Sequence, residues 1–206
     1  LMNLRHTLTA TAFAAAAFAS APASAFSFQG VDFSLSFVDV VAGVRDYTLT
    51  VQVDKDLLQP NWVGAEYFKA IAPKVGSKDV TATLTAGPGT WAGGYGNLGS
   101  MGAGDSCAGS SDNTGYVCAA SSDNGGKGVQ LDGTLQTFTF EWHVTDPNKK
   151  FFDAPSTQIL FLDKDGKKQG SLMSLDIPAV PEPETYALML AGLAVVGFVA
   201  GRRKVS

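Results

Sequence analysis

Strict alternation of apolar and polar residues is the feature that most constrains the fold of this chain. In residues 134–144, four large apolar side chains share one face: Phe138, Phe140, Trp142 and Val144. Residues 46–54 alternate in the same way, with Leu49 and Val51 on the apolar face. Because successive side chains of a strand point to opposite faces, both segments are predicted strands with one buried face.

Shorter stretches extend this pattern along the chain. Strands are also predicted at residues 32–40, 80–85, 157–162 and 171–177. Between the last two lies Asp163-Lys164-Asp165-Gly166, whose Asp-Gly pair favours a tight hairpin turn. Residues 64–75 fit either a strand or a short helix ended by Pro73, and the strand is favoured because the neighbouring segments are strands. We therefore expect an all-β, two-sheet, jelly-roll-like β-sandwich over residues 26–178.

The middle of the chain has a different composition. Residues 87–128 contain 13 of the 23 glycines and are predicted to form a long loop. So long a loop in a compact domain calls for a clamp, and the only two cysteines, Cys107 and Cys118, lie inside it. In an exported protein such a pair indicates a disulfide. Two thiols without a second pair or a nearby histidine make a poor zinc site, so the disulfide is favoured over a metal.

The N-terminal residues resemble a secretory signal. Arg5 and His6 precede an apolar stretch at residues 8–18, and Ala23-Ser24-Ala25 has the A-x-A form of a cleavage site. Residues 1–25 are therefore predicted to be a signal helix that signal peptidase removes after Ala25. Residues 26–180 carry 11 lysines and arginines against 17 aspartates and glutamates, a net charge of −6. Nucleic acid is excluded as a partner because its recognition needs a basic surface.

The C-terminal residues combine three signals in a fixed order. Pro181-Glu182-Pro183 precedes an uncharged apolar run at residues 185–201, and Arg202-Arg203-Lys204 follows it. As a helix the run would be about 25 Å long, at the short end of what spans a bilayer. Basic residues beside a span mark its cytoplasmic side, so the domain is predicted to lie outside the cytoplasm.

This tail, residues 179–204, resembles the PEP-CTERM sorting signal of Gram-negative bacteria, which is also labelled an ice-binding protein C-terminal motif. The resemblance implies that the enzyme exosortase recognises Pro181, Glu182 and Pro183. It also implies a transient anchor in the inner membrane, with Arg202, Arg203 and Lys204 on the cytoplasmic side. The helix would then be removed and the domain released to the cell surface or exopolysaccharide matrix. Ice binding is not carried over, because the tail is a sorting device.

The domain itself bears a second resemblance. Trp91, Gly93-Gly94, Cys107 and Gly115-Tyr116-Val117-Cys118-Ala119 are followed by an aromatic strand, Phe138-Thr139-Phe140. Phe161-Leu162-Asp163, Gly166-Lys167 and Gly170-Ser171-Leu172 complete the series. This order is similar to a recurrent glycine-rich, two-cysteine ectodomain of PEP-CTERM proteins. The likeness implies a β-sandwich and does not indicate any particular activity.

Candidate chemistry in the domain is sparse. His143 shares a strand face with Glu141, an arrangement open to acid–base catalysis but more typical of a solvated polar face. Two groups of aspartates are open to calcium binding or to turn formation, with turns favoured: Asp163 with Asp165, and Asp105, Asp112 and Asp123. Trp62, Trp91 and Tyr95 fit either a sugar-stacking platform or, as we favour, core and loop anchors.

The sequence thus predicts a non-catalytic surface or extracellular-matrix protein without a cofactor, associated with exopolysaccharide or biofilm. No G-x-S-x-G or H-E-x-x-H motif occurs. The alternatives are a secreted hydrolase or lyase that acts on polysaccharide, and a calcium- or glycan-binding module.

Overall fold

The computed structural model describes residues 26–95, 98, 105, 107, 115–170, 175–178 and 191–193. Residues 23–182 form one compact unit. Its strands are β1 Phe26–Phe28, β2 Val31–Val41, β3 Val44–Val53, β4 Tyr67–Pro73, β5 Thr81–Ala86, β6 Trp91–Tyr95, β7 Val117–Ser121, β8 Val129–Gln130, β9 Gln136–Thr145, β10 Ser156–Leu162, β11 Lys168–Gln169 and β12 Leu175–Asp176. A 3₁₀ turn lies at Lys55–Leu57 and a helical turn at Asp123–Gly126.

The strands form two antiparallel sheets. The five-stranded sheet has the order β1-β2-β3-β9-β5. The seven-stranded sheet has the order β11-β10-β4-β7-β6, with β12 also paired to β10 and β8 to β4. The two sheets share one core, in which Phe68 of the seven-stranded sheet contacts Phe138 of the five-stranded sheet at 4.9 Å between ring centroids. The predicted all-β, two-sheet fold is confirmed.

Alternation produces this core. On β9, the four predicted side chains from Phe138 to Val144 are buried, and the threonines, Glu141 and His143 between them are exposed. On β3, Tyr47, Leu49, Val51 and Val53 are fully buried. β3 and β9 pair in continuous register from Val44 opposite Thr145 to Val53 opposite Gln136. Their apolar faces therefore form one surface that packs on the seven-stranded sheet.

Residues 64–75 contain β4, so the favoured strand is confirmed. The strand does not alternate regularly, because the register between β4 and β10 shifts at Lys69. Lys69 is an extra residue on β4, a β-bulge. As a result, Phe68 and Ile71 both lie in the core between the sheets, although simple alternation would place them on opposite faces.

The segment predicted as a glycine-rich loop, residues 87–128, contains β6 and β7. These strands pair with each other, and β7 also pairs with β4. β7 has the sequence Val-Cys-Ala-Ala-Ser, and all five residues are buried. Its small side chains allow a layer of chain to pack on each face of the sheet at this point.

The predicted turn at residues 163–166 is present. Gly166 N donates to Asp163 O at 3.0 Å, and the chain returns as β11. Among the described residues, no helix is long and apolar enough to cross a membrane. The predicted signal helix lies outside the described residues, and so does the predicted C-terminal span apart from residues 191–193, which are helical.

Candidate functional site

The domain closes immediately before the predicted sorting motif. β12 pairs with the start of β10, and the next residue, Ile177, is fully buried and donates from its backbone N to Pro155 O at 3.2 Å. Pro178 is the last described residue of this unit. The predicted motif residues Pro181, Glu182, Pro183, Arg202, Arg203 and Lys204 lie outside the described residues, as do the signal-cleavage residues Ala23 and Ala25.

The predicted disulfide is present in the structure. Cys107 and Cys118 are bridged, with their Cα atoms 5.9 Å apart. Cys118 lies on β7, and its side chain belongs to a second apolar cluster that contains Ala70, Ala72, Leu98, Cys107, Ala120, Leu160 and Leu162. The strand residues of this cluster alternate with those of the main core, so the cluster covers the outer face of the seven-stranded sheet.

Leu98 and Cys107 therefore lie on this face as an outer layer, a name that we use for these two residues alone. Leu98 is fully buried, and its backbone N donates to Gln158 Oε1 on β10 at 2.9 Å. Together with the disulfide, this bond attaches the layer to two strands of the seven-stranded sheet. These two residues of the glycine-rich segment thus have a structural role in covering the sheet.

Lys69 is buried at the bulge in β4. Its Nζ donates to Ser121 O at 2.7 Å. Burial lowers the pKa of Lys69, and the nearby charge of Asp105 partly opposes that shift. Sequence reasoning missed this residue because it gave no sign of the bulge that turns a lysine inward.

His143 and Glu141 are both exposed on the outer face of the five-stranded sheet. His143 Nδ1 lies 2.6 Å from Asp46 Oδ1 of the neighbouring strand, so its partner is Asp46. The contact lies on a solvent-exposed strand face. This geometry is that of a cross-strand polar pair, which gives little of the desolvation that catalytic carboxylates and imidazoles use.

Two of the candidate calcium ligands, Asp163 and Asp123, hold turns of the chain. Asp163 Oδ1 accepts from Asp165 N at 2.9 Å and from Lys167 N at 2.8 Å, which holds the hairpin turn. Asp123 Oδ2 accepts from Ser121 Oγ at 3.1 Å. In the described part of the chain, no three His, Cys, Asp or Glu residues are grouped as a metal site. Asp112 lies outside it.

Two of the three residues considered for a sugar-stacking platform are in the core. Trp62 is fully buried and contacts Phe161 at 5.2 Å. Trp91 contacts Phe140 at 4.8 Å and is also buried. The favoured interpretation of both as anchors is confirmed, and the side chain of Tyr95 lies outside the described residues.

A polar network at one end of the sandwich was not predicted. Arg45 binds Asp39 and Asp153, each at 2.6 Å, and its guanidinium lies 3.8 Å from the centroid of the Phe37 ring. Burial alone would lower the pKa of Arg45, but the hydrogen bonds to the two carboxylates raise it above its ordinary value. Asp39 is only six residues from Arg45, so the sequence places these two residues close together. Asp153 is 108 residues away, and its contact with Arg45 depends on the tertiary fold.

Tyr47 extends this network. Its Oη lies 3.1 Å from Val75 O and 3.0 Å from Phe152 O, which accept its hydrogen bond. Burial raises the pKa of Tyr47 to about 12, although the Arg45 charge opposes this shift. The network joins β3 to the chain segments before β5 and before β10.

Comparison with known proteins identifies the tail. Residues 179–204 match the family model of the PEP-CTERM protein-sorting motif. No curated protein and no solved structure matches the chain significantly. The match begins after the last described residue of the sandwich, Pro178, so the motif follows the folded domain directly. The chain therefore carries a PEP-CTERM protein-sorting motif, which marks it as an exported protein that is anchored at the membrane and processed by exosortase.

Proposed function

We propose that this protein is a non-catalytic component of the cell surface or extracellular matrix, associated with exopolysaccharide or biofilm. It is exported with a signal peptide at residues 1–25 that signal peptidase removes. The inner membrane holds it until exosortase cuts near Pro181-Glu182-Pro183. The observation that carries this proposal is the match of residues 179–204 to the sorting motif.

The roles of the buried charged groups support a non-catalytic domain. Asp146 is fully buried and accepts from the backbone N of Asn148 at 2.7 Å and of Lys150 at 3.2 Å. Arg45 is held by two carboxylates, and Lys69 donates to a backbone oxygen. Each group forms hydrogen bonds or ion pairs that stabilise a loop or a strand, which is the expected role of buried charges in a scaffold.

Processing at the tail is tested by intact-mass analysis of surface and matrix fractions from a host with a working exosortase. We expect a protein that lacks the residues after the Pro-Glu-Pro triplet. Glu182→Ala removes the carboxylate of the triplet and should leave the precursor uncut. Glu184→Ala, two residues further on, is the matched control and should be processed normally.

Deleting Arg202, Arg203 and Lys204 removes the charges that fix the tail in the cytoplasm and should mislocalise the protein. Recovery of surface protein that still contains Tyr186 and Lys204 would contradict the sorting role and leave a plain membrane anchor.

A polysaccharide hydrolase or lyase is the second candidate, because His143, Asp46 and Glu141 cluster on one exposed face. A screen for reducing or unsaturated sugar ends, with His143→Ala as the control, separates the two functions. Activity that the control loses would favour the enzyme. No activity in either protein agrees with a matrix role.

A further inference from the structure

One end of the sandwich exposes apolar side chains. We call it the hairpin end and define it as residues 38–43, which include the β2–β3 turn, together with residues 146–153. Val38, Val40, Val41 and Phe152 are its exposed large apolar residues. The two segments are joined, because Asp146 N donates to Gly43 O at 2.9 Å and Arg45 bridges Asp39 to Asp153. The valines and Phe152 therefore belong to one continuous surface.

Two lysines lie on the same surface. Lys149 and Lys150 are exposed, and neither forms an ion pair with any described residue. The Cγ of Lys149 would be 3.5 Å from a Cβ placed on Gly43, so this lysine stands beside the hairpin turn. The carboxylates of Asp39 and Asp153 are both bound to Arg45. The hairpin end thus presents apolar side chains next to the ammonium groups of two lysines that have no ion-pair partner in the described part of the chain.

The chain leaves the domain at this same end. Ile177 N bonds to Pro155 O, and Pro155 is only two residues from Asp153. Six residues, 179–184, separate Pro178 from the apolar run that starts at Thr185. Fully extended, six residues reach about 20 Å. While the tail is anchored, this tether keeps the hairpin end close to the membrane surface.

We propose that the hairpin end docks on the phospholipid surface of the membrane before the tail is removed. Val40, Val41 and Phe152 enter the headgroup layer, and Lys149 and Lys150 bind anionic lipid phosphates. Apolar side chains flanked by lysines are the features that bind peripheral proteins to anionic membranes. The proposal rests on the anchored precursor described above and adds the orientation of its domain.

The opposite end of the sandwich gives a matched control surface. β3 ends there at Val53 and β9 begins there at Gln136. Leu135 is 59% exposed, against 62% for Val41, so the two positions are equally accessible. Two acidic residues are close to this position: Asp132 is three residues before Leu135, and a Cβ on Gly133 would be 3.2 Å from Asp56 Oδ2. The neighbouring Lys55 is paired with Glu66. An anionic membrane would repel this end.

The test uses the full chain reconstituted in vesicles of phosphatidylethanolamine and phosphatidylglycerol. Among the described residues the native cysteines are both in the disulfide, so a fluorophore can be placed on Val41→Cys or on Leu135→Cys alone. Flotation on a density gradient first establishes that the tail is inserted. Lipids spin-labelled in the headgroup layer then quench any fluorophore that touches the surface.

We expect quenching at position 41 and none at position 135. Lys149→Glu with Lys150→Glu should weaken the quenching at position 41, as should vesicles of phosphatidylcholine alone. Lys164→Glu with Lys167→Glu makes the same charge change in the turn between β10 and β11 and should have no effect. Circular dichroism verifies that each variant retains the β fold.

Equal quenching at both positions, or none at position 41 in protein that floats, would overturn the docking proposal. Cross-linking without lipid tests whether position 41 is covered by a second copy of the chain. Contact between copies at this position would assign the hairpin end to self-association and would also overturn the docking proposal. Protein that does not float would instead contradict the anchored precursor, and the docking with it.

Discussion

Gly94 lies directly beneath Cys107. A Cβ placed on Gly94 would stand 1.8 Å from the carbonyl oxygen of Cys107. Gly94 is also the cross-strand partner of Cys118, to which Cys107 is bridged. The outer layer is therefore held against β6 and β7 at one point. The disulfide bonds Cys107 to Cys118 on β7, and Gly94 on β6 has no side chain to keep Cys107 at a distance.

Gly94→Ala should displace the outer layer, since the new methyl group and the backbone of Cys107 cannot occupy the same space. We expect the free energy of unfolding to fall by about 1–3 kcal/mol, as for other overpacked sites. Gly87→Ala is the control, because its Cβ would press on the flexible end of the Leu84 side chain at 3.2 Å and would otherwise meet Trp91 Cβ at an ordinary contact distance of 3.6 Å. Urea unfolding of both variants makes the comparison, and equal losses would refute the role given to Gly94.

Non-reducing peptide mapping of exported protein should yield one linked peptide pair, Cys107 with Cys118, and no alkylatable thiol. The bridge closes a loop with a sequence separation of 11 residues. Its removal by a double Cys→Ala substitution should cost about 3 kcal/mol, because the unfolded chain regains the entropy of the open loop. Two free thiols in periplasmic or secreted material would show that the bridge does not form.

Tyr47→Phe removes the donor to Phe152 O and should lower the free energy of unfolding by about 1–2 kcal/mol. The wild type should also lose stability at high pH. The folded state binds the phenolic proton more tightly than the unfolded chain, with a pKa of about 12 against 10.0. Stability from this group is complete below pH 10 and falls as the pH rises toward 12.

Urea unfolding of wild type and Tyr47→Phe across this range measures the effect as a difference, which cancels the other tyrosines and the lysines. The difference between the two proteins should shrink with rising pH. A difference that stays constant would mean that Tyr47 titrates normally and is not protected by the fold.

Lys69→Met should change how stability depends on pH. Burial lowers the pKa of Lys69 in the folded state, so the unfolded chain binds its proton more tightly. This group therefore makes stability rise with pH up to the unfolded value of 10.5, and the Met variant should lack that rise. Lys78→Met removes an exposed lysine, and this variant should retain the rise of stability with pH.

Local pattern was sufficient to predict the strands whose two faces differ. β9 alternates phenylalanine and tryptophan with threonine and glutamate, so its length and buried face follow from the sequence. The bulge at Lys69 was not predictable in this way. At the bulge, the backbone of β4 is packed against Gly128, a residue distant in sequence, where a Cβ would stand 2.3 Å from Phe68 O.

The polar groups also divide into those that the local sequence predicts and those that depend on distant contacts. The turn at Asp163 was read correctly because its carboxylate bonds to residues two and four positions later. Arg45 reads as a solvated residue within a strand, yet it is buried between Asp39 and Asp153 and three aromatic rings. Only the tertiary fold brings these groups together, so no local rule could assign them.

The position of Ile177 has a consequence for the life of the protein. The last core contact among the described residues, from Ile177 N to Pro155 O, precedes Pro181 by four residues. Any cut at or beyond the triplet spares every described contact of the sandwich. Precursor and product therefore have the same folded domain. The mature protein should be as stable against unfolding as the domain of the precursor, because the cut removes none of these contacts. Sorting changes the location of the protein without requiring the domain to refold.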